Sequence, residues 1–191
     1  MHKIHITEGV VLGKYLAGEA STASAIMTRE LGLVRASARS ARASQSKLKY
    51  GLEPLTEGRF SFVKGKSGWR LTSVTNMRRL LPQHVSARAA AGRITKLLLR
   101  LIHGEEIAPA LFEAVANGLA LLEGAEGKEE VDSVECVLVL RILFNLGYLP
   151  KTEFLAPFVE ENLSLELAAQ AARSRSVLVK TINESLLQTG L

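Results

Sequence analysis

Cysteine occurs once in these 191 residues, as Cys136, which excludes an internal disulfide and a cysteine-only zinc cage. Set in an apolar run, it reads as a small buried thiol and not as a nucleophile. Aromatic residues make up only 5% of the chain, so burial has to rest on Leu, Val, Ile and Ala. The four histidines, His2, His5, His84 and His103, are scattered without partner cysteines or carboxylates at ligand spacing, so neither a metal nor a cofactor is expected. No uncharged apolar stretch approaches the roughly 20 residues needed to span a bilayer. The opening MHKIHITEGV alternates and lacks the apolar core of a signal peptide. The expectation is a soluble, cytoplasmic protein.

Acidic residues are missing altogether from Leu31 to Leu52, and that gap holds Arg35, Arg39, Arg42, Lys47 and Lys49 among Ala and Ser spacers. The wider balance has the same bias. Residues 1–80 carry fourteen Lys and Arg against five Glu, a net of +9, whereas residues 81–191 carry ten basic against fourteen acidic side chains. A basic first part and an acidic second part suggest two domains with different partners, the first an anionic polymer.

Patterning divides the chain at the same place. Period-2 alternation runs through the first 75 residues. Ile4, Ile6, Val10 and Leu12 share one strand face, with Gly9 as a bulge. STASAIMT and LVRASA read as strands around a turn ending at Gly32, and EGRFSFV sets Phe60 and Phe62 against Arg59 and Ser61. WRLTSV alternates Trp69 and Leu71 with Arg70 and Thr72. Five strands with one long loop suit a small closed barrel of the oligonucleotide-binding (OB) type. After Pro82 the period becomes helical. Ile94, Leu97, Leu98, Leu101 and Ile102 line one face of a helix stopped by Gly104, and a second helix starts near Pro109. GAEGKEE reads as an acidic joint, and Asp132 and Glu135 have capping-box spacing before CVLVLRILFNLG, a helix apolar nearly all round. A last helix is expected from about Ser164, carrying Arg173, Arg175 and Lys180. The expected architecture is α+β: a five-stranded OB-fold barrel over residues 1–80, then an all-helical domain over 81–191.

Most short motifs dissolve on inspection. VKGKSGW contains the Gly-Lys-Ser of a phosphate-binding loop, but Phe60 stands where that loop needs its first glycine, and strands flank it on both sides. It reads as a hairpin turn. Ser44 to Lys47 has the spacing of a serine–lysine nucleophile pair without its companion motifs. No set of residues forms an active site, so no enzyme is expected.

The basic loop is harder to dismiss. It could be an exposed linker, or a phosphorylation segment through Ser37, Ser40 and Ser44. Context favours polyanion binding, because the other turn of the barrel adds Lys64, Lys66 and Arg70. Tyr50 and Trp69 lie close by as candidate stacking platforms, although Trp69 fits a barrel core equally well. Single-strand binders join a cationic track for phosphates to aromatic faces for bases. The same pattern would serve RNA, or an interaction scaffold whose basic loop holds an acidic protein. A second basic row, Arg93, Lys96 and Arg100, flanks the apolar face that ends in Leu101. It is either the wet side of an amphipathic helix or the rim of a groove for an acidic peptide with a hydrophobic end.

Several stretches, in order, resemble the bacterial recombination mediator family RecO. TEGVVLGKY (Thr7 to Tyr15) is similar to that family's opening strand, and MTRELGLV (Met27 to Val34) to its strand–turn–strand. ARSARASQSK resembles the family's basic loop through Ala41, Arg42, Ser46 and Lys47, with Ser40 where glycine is usual. LEPLTEGRFSF (Leu52 to Phe62) and LRILFNLGYLP (Leu140 to Pro150) match two further segments. Many members carry a four-cysteine zinc element that is missing here, and the chain is expected to be a short form without the family's distal segments. The resemblance implies a non-enzymatic DNA repair and recombination protein that binds single- and double-stranded DNA and anneals strands. It also implies RecR as partner, docking of the C-terminal tail of the single-stranded DNA-binding protein SSB on the helical domain, and indirect action on RecA. No membrane partner is implied.

Overall fold

The computed structural model describes residues 3–16, 22–38, 48–106 and 108–188. Five strands form a closed barrel: β1 (Ile4–Leu16), β2 (Thr22–Thr28), β3 (Gly32–Ala38), β4 (Thr56–Gly65) and β5 (Gly68–Arg79), in the order β1-β2-β3-β5-β4. This is the OB-type barrel that the alternation predicts. The long β1 pairs antiparallel with both β2 and β4, and the parallel pairs Ala36–Trp69 and Ser37–Arg70 close the sheet. Closure removes the unpaired edges an open sheet would expose. A short helix, α1 (Leu48–Gly51), precedes β4.

Alternation explains what fills the barrel. Val11, Ile26, Val34, Ala36, Phe60, Phe62, Trp69 and Leu71 form one buried cluster. The Phe60 and Phe62 rings stack at 6.1 Å, and Trp69 meets Phe62 edge-on at the same separation. Burying each Phe contributes roughly 1.5–3 kcal/mol, before the entropy of ordering it. Ile4, Ile6, Val10 and Leu12 do share a parity, but on the opposite face from Val11; Val10 and Leu12 are covered, while Ile4 and Ile6 are exposed. The bulge lies between Val11 and Gly13 and not at Gly9, which keeps regular pairing with Gly58 and Thr28. Its extra residue lets β1 curl from one partner strand to the other.

The β2–β3 turn shows local chemistry at work. The Thr28 hydroxyl accepts from the Leu31 N–H at 3.1 Å and donates to the Gly32 carbonyl at 2.8 Å. Gly32 has a φ of 68°, and an added Cβ would lie 2.3 Å from the Glu106 carbonyl oxygen. Glycine is therefore required twice over, by conformation and by space.

The helices are α2 (Val85–Leu101), α3 (Pro109–Gly124), α4 (Lys128–Asn145), α5 (Ala156–Glu160), α6 (Leu165–Arg173) and α7 (Arg175–Gln188). By contact density the chain forms two compact units, Met1–Leu80 with Thr95–Pro109, and Leu81–Ile94 with Ala110–Leu191. The second is built around α4, which buries ten side chains, as its all-round apolar sequence predicts. The one cation among them, Arg141, donates to the backbone carbonyls of Phe158 and Glu161, which satisfies the end of α5. Helix α4 ends at Gly147, with a φ of 78°, where the Tyr148 N–H returns to the Leu143 carbonyl at 2.8 Å.

Two helix boundaries differ from expectation. Helix α4 begins at Lys128 with Gly127 as its cap, so Asp132 and Glu135 are not a capping box but lie inside the helix. Both are used elsewhere, in ion pairs with Arg175 and Arg93. Ser164 does cap α6, accepting from Leu167 N–H at 3.2 Å, but the expected single last helix breaks at Ser174 into α6 and α7. No helix among the described residues is long and apolar enough to cross a membrane.

Replacing Gly32 with Ala should cost about 2 kcal/mol, from backbone strain and the forced retreat of Glu106. A urea melt checks this, the expected result being a lower midpoint at unchanged slope.

Candidate nucleic-acid interface

Strands β4 and β5 join in a tight hairpin, with Gly65 opposite Gly68 and Lys66 and Ser67 at the tip. The Gly-Lys-Ser letters are thus a strand–strand turn. Alternation on β3 leaves Arg35 and Ser37 exposed between buried Val34, Ala36 and Ala38. Parallel pairing then sets Ser37 beside Arg70, also exposed. Ser37, Lys66, Ser67 and Arg70, with Gly65 and Gly68, line a shallow pocket of about 160 Å³. Cations, hydroxyls and glycine-exposed backbone are what a phosphate group requires.

Charge pairing takes up part of the basic excess and leaves these cations out of it. Lys14 is held by Glu53 at 2.7 Å and Arg29 by Glu8 at 2.8 Å. Arg78 stands opposite Glu57 across β4 and β5, and Arg59 opposite Glu8 across β1 and β4. No ion pair among the described residues engages Arg35, Lys66 or Arg70. They are among the uncompensated cations of the first unit.

Lys64 differs from its neighbours. Its ammonium lies 5.0 Å from the Trp69 ring centroid and donates to Glu105 Oε2 at 2.7 Å. The other carboxylate oxygen of Glu105 accepts from Trp69 Nε1–H at 2.8 Å. These two hydrogen bonds, Lys64 first, pull the Glu105 carboxyl below its ordinary range. Trp69 cannot serve as a stacking platform. Only 7% exposed, it is packed against Phe62 and His5 within the barrel core. Tyr50 is 73% exposed on α1. Arg39, Arg42 and Lys47 lie outside the described residues, as does the side chain of Lys49 in α1.

In the second basic row, Arg93 is not a free rim cation. Its guanidinium makes a bidentate pair with Glu135, at 2.6 and 2.5 Å, and that carboxylate raises its pKa further. Lys96 and Arg100 are exposed on α2, outside any ion pair among the described residues. Glu105 is the participant that sequence reasoning missed. It lies 36 residues from Trp69, just past the Gly104 stop, and no local pattern signals its role.

Trp69 is the only tryptophan, so its emission reports the Glu105 contact. A carboxylate with a lowered folded pKa contributes fully above its ordinary value and is lost as pH falls through the lowered one. Acid titration should therefore shift the emission below the usual carboxylate range. Glu105→Gln, which keeps an acceptor for the indole N–H, should lack that step.

Comparison with known proteins agrees with this architecture. Residues 1–79 match the model for the recombination protein O N-terminal region and residues 83–155 the one for its C-terminal region. The chain is also 29% identical over 151 residues to the DNA repair protein RecO of Heliobacterium modesticaldum, an alignment that covers 78% of this chain and 54% of that protein. It thus spans about half the length of the curated relative it matches. With an OB-type barrel matched by one region of the family and the helices that follow it by the other, the chain belongs to the recombination protein O family.

Proposed function

We propose that this chain is a DNA repair and recombination mediator that holds nucleic acid, single-stranded DNA above all, on the β3 and β4–β5 hairpin face of its barrel. The observation that carries this reading is the exposed pair Lys66 and Arg70 lining a polar pocket, with Arg35 exposed on the same face of β3 as the pocket residue Ser37, all three outside every ion pair of the described residues. Membership in the family supports the DNA repair role. In this reading Arg39, Arg42, Lys47 and Lys49, which fall in the sequence between β3 and β4, supply further phosphate contacts. Within this proposal the chain also binds duplex DNA and anneals complementary strands in the cytoplasm, and RecR joins it to help RecA displace SSB. No catalytic step is assigned to any residue.

Contacts of this type hold phosphates and read no bases, so binding should be nearly indifferent to sequence. With about five phosphates neutralised, the log–log salt slope on single strands should be roughly −3.5. The triple variant Arg35→Ala, Lys66→Ala, Arg70→Ala should weaken oligonucleotide binding equally for all sequences and flatten that slope by about 2. Fluorescence anisotropy at several salt concentrations checks both. An unchanged slope would reject the hairpin face, and tighter binding of RNA or of an acidic peptide would favour those partners instead.

A further inference from the structure

Glu105 occupies a place built for an anion. Lys64 Nζ and Trp69 Nε1–H converge on one carboxylate, at 2.7 and 2.8 Å, and a phosphate oxygen would satisfy the same two donors. Lys64 and Trp69 are register partners, and each is next in sequence to a residue lining the Lys66–Arg70 pocket, Gly65 on one side and Gly68 and Arg70 on the other. Ser37, which also lines that pocket, donates to the Trp69 carbonyl at 3.4 Å. The filled anion position and the open one therefore share a hairpin.

The segment carrying Glu105 is fixed in place by its backbone and not by the carboxylate alone. Gly104 turns the chain out of α2 with a φ of 87°, and the Glu106 backbone lies against Gly32 so closely that no Cβ fits between them. The carboxylate itself is accessible, with 43% of the Glu105 side chain and 55% of the Lys64 side chain exposed. An ion pair this exposed adds little stability. Its effect is on what else Lys64 can hold.

We propose that Glu105 is a built-in competitor for nucleic-acid phosphate, which keeps Lys64 and the indole N–H occupied until a bound strand displaces it. This rests on the reading of the barrel as a nucleic-acid binder. The competitor repels an incoming polyanion and withholds one cation from it, so binding is weaker and less salt-dependent than the cation count alone would give.

The test is oligo(dT) binding by the parent chain, Glu105→Gln, Glu106→Gln, Lys64→Met and Glu105→Gln in the Lys64→Met background, the last read against Lys64→Met alone, followed by anisotropy across a salt series. Gln retains an acceptor for the indole, and matching thermal melts confirm that the fold is kept. Glu105→Gln should bind about fivefold tighter, with a slope steeper by about 0.7, the increment for one further phosphate on a single strand. Glu106→Gln, which removes an equal charge next door, should leave the slope unchanged, and Lys64→Met should abolish the gain. An equal gain from Glu106→Gln, or a gain that survives Lys64→Met, would mean a diffuse field effect and would overturn the competitor. A parent that binds while Glu105→Gln changes nothing sinks the competitor alone. If no variant binds any oligonucleotide, the nucleic-acid reading fails with it.

Discussion

Two residue pairs, Ala36 with Trp69 and Ser37 with Arg70, join β3 to β5 and turn an open meander into a barrel. Much of the first unit follows from that short parallel contact. It commits Ala36 and Trp69 to the interior, where Trp69 meets Phe62. On the other face it commits Ser37 and Arg70 to the surface beside the hairpin tip. The same strand alternation thus decides which side chains make the core and which present charge. The fold and the candidate interface are two faces of one sheet.

The second unit uses different physics. Helix α4 buries hydrophobic side chains all round, and its one buried cation is satisfied by carbonyls instead of by a carboxylate. Its partly exposed acids, Asp132 and Glu135, are taken up by Arg175 and Arg93. Cations in this unit therefore serve largely to hold helices, whereas in the barrel several are left without a counter-charge. Net charge alone would not have distinguished the two uses.

What could be read from the sequence was whatever alternation or a local stop dictates. Phe60 and Phe62 facing in, Arg35 and Arg70 facing out, the hairpin at Lys66 and Ser67, and the buried helix before Gly147 all follow from spacing within a few residues. Contacts between distant residues were illegible. Glu105 reaches Lys64 and Trp69 across 41 and 36 positions, and Arg93 reaches Glu135 across 42. The β1 bulge was misplaced because glycine marks where backbone can bend, while the pairing of β2 and β4 decides where it does. Asp132 and Glu135 imitated a cap because their spacing is also that of one face of a helix interior.

The most direct test of the central claim is where a single strand touches the chain. Titrating isotope-labelled protein with oligo(dT), and following backbone amide and indole N–H resonances, maps that surface residue by residue. The account predicts shifts at Arg35 to Ser37 and from Lys64 to Arg70, with movement of the Trp69 indole as its acceptor changes, and little response in α4, α6 and α7. Shifts confined to those helices, with the hairpin and the indole silent, would contradict it.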